Sequence, residues 1–414
     1  MSEVSQKKNR GEFFGVDRLT WARICDAASI NEAAAYLVLA QGTGRDNRCT
    51  SWSVTSMKNH AGISWERGTD AIEQLIKKGF IRYAETSSRS KPRYELLSHA
   101  EIAQAAFNNA HAGLTDYEHL LLRDVQQGKA LRARQIRQDS EIFSRLERQG
   151  LISHRPEGGY IFNERPVVND PDLIWLPNTL VTGTANGEDS PIRRLRGGGD
   201  IWTLRLFVDL YHAHNLRDNG GISPAVLQQR YSRILVGEQG IFTVWGYKAG
   251  PLNAWWQGPM KAHQSRPKAA DNDHPIWESV ARLQQHGLLT FVPHLWDNKC
   301  DGETSQAEII HGYGIGRESD PLEMEMGRAA NLAGMAMVPD FKKEKAFAEG
   351  YYYLAPVLNT IPNVQMIGVA RLLYRPHTTR TSDWYGELIR NAPAWIKRYE
   401  ELRKKAEKLA AKTA

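Results

Sequence analysis

One short pattern occurs three times in this chain and constrains its fold: an apolar helical stripe ends at a glycine, and two large apolar residues follow. The copies are Ile72-Glu-Gln-Leu75-Ile-Lys-Lys-Gly79-Phe80-Ile81, Phe143-Ser-Arg-Leu146-Glu-Arg-Gln-Gly150-Leu151-Ile152 and Val280-Ala-Arg-Leu283-Gln-Gln-His-Gly287-Leu288-Leu289. In each, apolar side chains stand seven and four residues before the glycine, on one helical face, and the pair after it reads as extended chain. Glycine at that junction suits a left-handed helix stop. The copies are 71 and then 137 residues apart, too far and too unequal for a solenoid, so three small domains of one type are expected.

The residues before the first copy extend the unit. Asn31 to Gly42 reads as an alanine- and leucine-rich helix stopped by glycine. Ser53 is positioned to cap a short helix that stops at Gly62, and Ser64 to cap the next. Two helices joined by a short glycine-containing turn are a helix-turn-helix. After Ile81, two short strand candidates flank the polar, basic tip from Arg82 to Arg93.

On the run from Ser53 through Gly62-Ile63-Ser64 to Leu75 and Gly79-Phe80-Ile81, residues 31–97 resemble the winged-helix domains of phage and plasmid replication organisers and of bacterial transcription regulators. The resemblance implies a DNA-binding helix at Ser64–Lys78 and a wing at its C-terminal side. Gly68 departs from it, standing where such domains place a β-branched apolar residue; a mid-helix glycine costs about 1 kcal/mol relative to alanine.

The remaining chain is divided on the same basis. A disordered tail is expected at 1–10, a first winged helix at 11–97, a second at 98–166, a glycine-containing linker at 167–200, and a third, winged-helix-like domain at 201–317 with a Gly/Trp-rich insertion at 235–273. A C-terminal region, 318–414, ends in a charged helix where Lys397 to Lys412 holds seven basic residues; an exposed amphipathic helix is expected there. The expected fold class is mainly α with small β-hairpin wings, tandem winged helices and a mixed α/β C-terminal region.

Charge distribution selects the expected partner. The whole chain is only mildly basic, with 53 Lys and Arg against 47 Asp and Glu, but the stretch from Arg48 to Arg93 holds nine basic residues against four acidic ones. Duplex DNA is a dense phosphate array, read by polar side chains on an inserted helix with flanking cations. Ser53, Ser64, Trp65, Arg67 and Thr69 are the candidate contacts around the reading helix, with Arg67 foremost. Lys58 and Asn59 are candidates for backbone phosphate, and Arg89, Lys91 and Arg93 for phosphate or minor groove at the wing tip. In the second unit Arg132, Arg134 and Arg137 extend the basic surface. The same residues also fit a solvated basic face. The aromatic third unit, with Trp202, Trp245, Trp255, Trp256 and Trp277, suits packing or protein contact instead.

Signals for chemistry are weak. His212-Ala213-His214 with Tyr231 downstream could serve a metal-dependent nickase only if the histidines lie on a strand; on a helix they diverge by about 200°. Gly42-Thr43-Gly44-Arg45 lacks the spacing of a phosphate loop, and His294, Cys300 and His311 are irregularly spaced for a metal. Neither enzyme activity nor a cofactor or metal is expected. Three scattered cysteines and the lack of 18 consecutive apolar residues fit a reducing, cytoplasmic setting without a membrane span. The function expected is duplex DNA binding, as a replication organiser or transcription regulator of a mobile element, with the C-terminal half forming a homo-oligomer or holding a protein partner. The alternative is an assembly protein using winged helices as adaptors.

Overall fold

The computed structural model describes residues 12–129, 133–156, 159–164, 172–184, 188–266, 274–298, 308–315, 319–375 and 378–413. The chain divides into two compact units, Met1–Ile174 and Trp175–Ala414.

All three glycine stops form as the sequence predicts. Gly79, Gly150 and Gly287 adopt φ of +73°, +73° and +61°. At each, the residue after the glycine donates its amide to a carbonyl five residues back: Phe80 to Leu75 at 2.9 Å, Leu151 to Leu146 at 3.0 Å, Leu288 to Leu283 at 2.9 Å. Strands Ile81–Tyr83, Ile152–His154 and Leu289–Asp297 follow at once.

Unit one holds two helical modules. In the first, helices Arg18–Ala27, Ile30–Gln41, Val54–Ala61 and Trp65–Lys77 accompany a three-stranded antiparallel sheet, ordered Cys49–Thr50, Tyr94–Leu96, Ile81–Tyr83. Helix Ile30–Gln41 is buried on every face from Glu32 onward, which explains its nearly uncharged composition; Ser29 and Glu32 cap its start reciprocally. In the second module, helices His99–Ala112, Asp116–Gln126, Ala133–Gln138 and Ser140–Arg148 precede the hairpin Ile152–His154/Tyr160–Phe162. Its core is Leu121, Leu122, Val125, Phe143, Leu146, Leu151 and Ile152.

Unit two corrects the expected fold class. The protein is mixed α/β, 51% helix and 23% strand, with a curled six-stranded antiparallel sheet in place of a third small winged helix. The strand order is Glu308–Gly312, Leu289–Asp297, Val364–Leu372, Leu227–Gln239, Phe242–Ala254, Tyr353–Leu358. The third glycine stop delivers the chain into Leu289–Asp297, buried along eight of its nine residues and paired on both edges. A wing strand such as Ile81-Arg82-Tyr83 exposes two of its three residues, whereas Leu-Thr-Phe-Val-Pro-His-Leu-Trp is buried throughout. The local device is shared; the residues after it decide the tertiary context.

The expected insertion at 235–273 contains most of the longest hairpin, Leu227–Gln239 with Phe242–Ala254. Its glycines hid the strand period because they mark close approach: a Cβ on Gly246 would sit 2.8 Å from the Val236 side chain. The segment expected as a linker carries strand Leu173–Pro177 and helices Thr179–Thr182 and Pro191–Gly197. The charged terminal helix runs over Thr379–Thr413 and is packed, not freely exposed. Ala392, Tyr399 and Ala406 recur every seven residues and are buried, with Trp395 and Leu402 between them; Tyr399, Trp395 and Leu402 share one core with Ala330 and Ala333 of helix Pro321–Met337. The expected tail at 1–10 lies outside the described residues.

An ion pair sits at the centre of unit two. Arg371 donates to both carboxylate oxygens of Glu323, at 2.8 and 3.1 Å, and to the Gly220 carbonyl at 2.6 Å, with Arg371 and Glu323 each about 1% exposed. Burial pushes the Glu323 carboxyl up, but the Arg371 guanidinium, with His294 adding to it, outweighs that and holds it far below the usual carboxylate range. A depressed folded-state pKa means stability that is present above the unfolded value of about 4.3 and lost as pH falls below it. Glu323→Gln should therefore cost about 3–5 kcal/mol near neutral pH and flatten the acid limb of stability below pH ~4.3, measured by denaturant melts across pH. Separately, Gly79→Ala should cost about 1–2 kcal/mol through backbone strain alone, since an added Cβ would meet nothing within 4 Å; Gly79→Asn should cost less in the same melts.

Candidate nucleic-acid interface

Helix Val54–Ala61 ends at Gly62, φ +65°, and helix Trp65–Lys77 begins three residues later. The second helix is strongly two-sided. Gly68, Ala71, Ile72 and Leu75 face the core, while Trp65, Glu66, Arg67, Asp70, Glu73 and Lys77 are exposed. Gly68 has a structural role: a Cβ there would lie 2.9 Å from Val54 Cγ1, so the glycine lets the two helices of the turn approach closely. That close approach fixes the direction in which the outward face points. Ser53 and Ser64 occupy the positions before each helix as expected, but neither side chain makes a cap hydrogen bond, and the Ser64 side chain is exposed.

The expected DNA-facing residues divide into three groups. Lys58, Asn59, Ser64, Trp65 and Arg67 are exposed, Trp65 at 60%, whereas Ser53 and Thr69 are half-buried and Thr69 Oγ1 donates to the Trp65 carbonyl at 3.0 Å. At the wing, Ser88 and Lys91 exchange backbone hydrogen bonds at 3.2 Å and Arg93 N donates to Ser87 Oγ at 3.0 Å, closing the tip so that Arg89, Lys91 and Arg93 stand exposed on it. In the second module Arg134 and Arg137 are exposed on helix Ala133–Gln138, and Arg132 lies outside the described residues.

Three of the nine basic residues between Arg48 and Arg93 are bound inside the module. Arg48 donates to Glu95 at 2.7 Å and Glu101 at 2.6 Å, Arg82 to Glu95 at 2.7 Å, and Lys78 to Glu32 at 2.6 Å. The Arg82 and Arg48 hydrogen bonds hold Glu95 below its ordinary value against some burial, and Arg48 is raised by Glu101 and Glu95. Lys58, Arg67, Lys77, Arg89, Lys91 and Arg93 have no acidic partner among the described residues. Cationic charge outside helix Trp65–Lys77 is thus concentrated on the preceding helix and the wing. The helix itself carries Glu66, Asp70 and Glu73 against Arg67 and Lys77. Sequence reasoning did not single out Lys77, exposed at the end of that helix, or Tyr83, 57% exposed on the wing strand.

The nickase arrangement is not formed. His212 lies on helix Ile201–Ala213 and His214 just beyond its end, so the two do not share a strand face, and Tyr231 is half-buried in the central sheet. Burial pushes the Tyr231 hydroxyl well above its ordinary value, and its O–H donates to Gln229 at 3.4 Å. Among the described residues, no group of three or more His, Cys, Asp or Glu side chains could hold a metal ion, and no helix is long and apolar enough to cross a membrane.

The close approach at Gly68 generates a test. Gly68→Val should destabilise unit one by about 1–3 kcal/mol through overpacking against Val54, and adding Val54→Ala should recover most of that loss, measured by chemical denaturation of the single and double variants.

No protein-family model, no curated protein and no solved structure matches the chain.

Proposed function

We propose that this chain is a cytoplasmic protein that binds duplex DNA through the first module of unit one, as a replication organiser or transcription regulator of a mobile element. The observation that carries this is the partition of its cations. Arg48, Lys78 and Arg82 are engaged by internal carboxylates, while Lys58, Arg67, Arg89, Lys91 and Arg93 stand exposed on the helix-turn-helix and the wing. Two helices in a tight turn followed by a two-stranded wing, which the earlier strand Cys49–Thr50 joins, is the arrangement by which winged helices meet the major groove.

The mixed charge of helix Trp65–Lys77 supports base readout rather than indiscriminate phosphate attraction at that helix. Arg67 offers a planar fork to guanine, and Glu66 or Asp70 can accept from cytosine N4, while the flanking cations supply the sequence-independent term. Arg134 and Arg137 extend the same surface chemistry into the second module.

Selection from a random genomic fragment library should yield a preferred site, with log affinity falling linearly against log salt. Arg67→Ala should then lower specific affinity by about 1–3 kcal/mol and relax sequence preference. Joint alanine substitution of Arg89, Lys91 and Arg93 should weaken binding to all sequences and lower the salt slope by about one for each phosphate that is no longer neutralised. Failure to retain any fragment, or affinity indifferent to salt, overturns the proposal.

A further inference from the structure

Unit two contains an open cavity of about 780 Å³, within the range of small-molecule sites, that the DNA-binding proposal does not use. Strands Leu289–Asp297 and Glu308–Gly312, the short helix Leu216–Asn219 and helix Thr379–Thr413 supply its lining. Its floor is built, and its carboxylate is paired. Glu323 is matched by Arg371, and His294 Nδ1 donates to the Val292 carbonyl at 2.8 Å. His311 Nδ1 likewise donates to the Gly312 carbonyl at 2.8 Å, which leaves Nε2 to accept from the Tyr399 hydroxyl at 2.6 Å; this ring is therefore neutral, and burial draws its pKa down to about 4.

The rim has the opposite character. Asp218, Glu308 and Glu387 are exposed carboxylates at the cavity, against the exposed guanidinium of Arg217. The walls include three indoles, Trp296, Trp384 and Trp395. Such faces already attract cations within the protein: Arg371 and Arg375 stand 4.7 and 5.1 Å from the Trp384 ring, and Arg398 5.3 Å from that of Trp395. Trp296 adds an independent observation. It is 4% exposed, and its indole N–H is buried without an acceptor among the described residues. A buried donor left unpaired costs roughly 1–3 kcal/mol.

We infer that this cavity binds an organic cation: an ammonium group at the Asp218/Glu387 rim, an aromatic or apolar body between the indoles, and an acceptor oxygen for Trp296. A rim bearing Asp218 and Glu387, with aromatic walls, disfavours an anion of the same shape. The site is independent of the DNA-binding surface and stands or falls separately.

Three molecules of one skeleton test it: tyramine, its neutral alcohol tyrosol, and the anion 4-hydroxyphenylacetate, each titrated calorimetrically into the full chain. Tyramine should bind most tightly. Glu387→Gln and Asp218→Asn, at exposed positions, should each weaken tyramine about three- to tenfold and leave tyrosol unchanged. Trp296→Phe, which removes the N–H and keeps an aromatic wall, should weaken tyramine and tyrosol alike. Binding of the acid as tight as that of the amine, indifference of tyramine to both rim substitutions, or no binding by any of the three overturns the assignment.

Discussion

The helix-to-strand reversal at a left-handed glycine is the constraint on which the rest of the molecule depends. A chain leaving a helix into a strand within two residues must bring its last amides back to carbonyls of the final turn, and that requires a positive φ that costs an L side chain about 1–2 kcal/mol. Gly79, Gly150 and Gly287 provide it with nearly the same hydrogen bonds. Each thereby fixes where an apolar helix face ends and which residue opens the following strand. The wing, the second hairpin and the inner strand of the large sheet all take their register from such a stop.

That dependence explains what was legible in the sequence. The helices around the first two stops, the turn at Gly62 and both hairpins could be read because periodicity, glycine and a short apolar strand entry agree locally. The third stop reads identically up to Leu288 and then leads into a nine-residue strand. Nothing local separates a wing from a sheet strand except that Leu289 to Trp296 lacks a polar face. The hairpin Leu227–Gln239/Phe242–Ala254 was hidden for a different reason. Its bulges between Gln229 and Tyr231 and between Leu235 and Gly237 shift the side-chain alternation, and its glycines are explained only by neighbours distant in sequence.

Of the candidate interface, exposure was legible and pairing was not. A helical wheel turns Arg67 outward and Ile72 inward without a structure, and the hairpin places Arg89 and Lys91 at its tip. That Lys78 binds Glu32, 46 residues away, or that Arg48 bridges Glu95 and Glu101, depends on tertiary proximity. Gly68 shows the same limit: on propensity it reads as a weak point, whereas against Val54 it is what allows the helix-turn-helix to close.

The two units treat charge in contrasting ways, and the contrast follows from solvent. In unit one the exposed cations of the helix-turn-helix and wing remain in water, where their long side chains keep their hydration and their conformational freedom. In unit two Arg371 and Glu323 are dehydrated, a penalty of several kcal/mol per ion that only full hydrogen-bond satisfaction can offset. Both guanidinium–carboxylate bonds are made, the Gly220 carbonyl takes a third donor, and the Trp384 ring covers the planar cation. Room for the carboxylate comes from glycine again: a Cβ on Gly312 would lie 3.0 Å from the Glu323 side chain, and one on Gly314 2.6 Å from its backbone. The pair is thereby held rigidly at the cavity floor while Asp218 and Glu387 stay solvated at the rim. Ligand charge is accordingly sensed at the rim, where carboxylates can reorganise, and not at the floor, where the Glu323 carboxylate is already bound to Arg371.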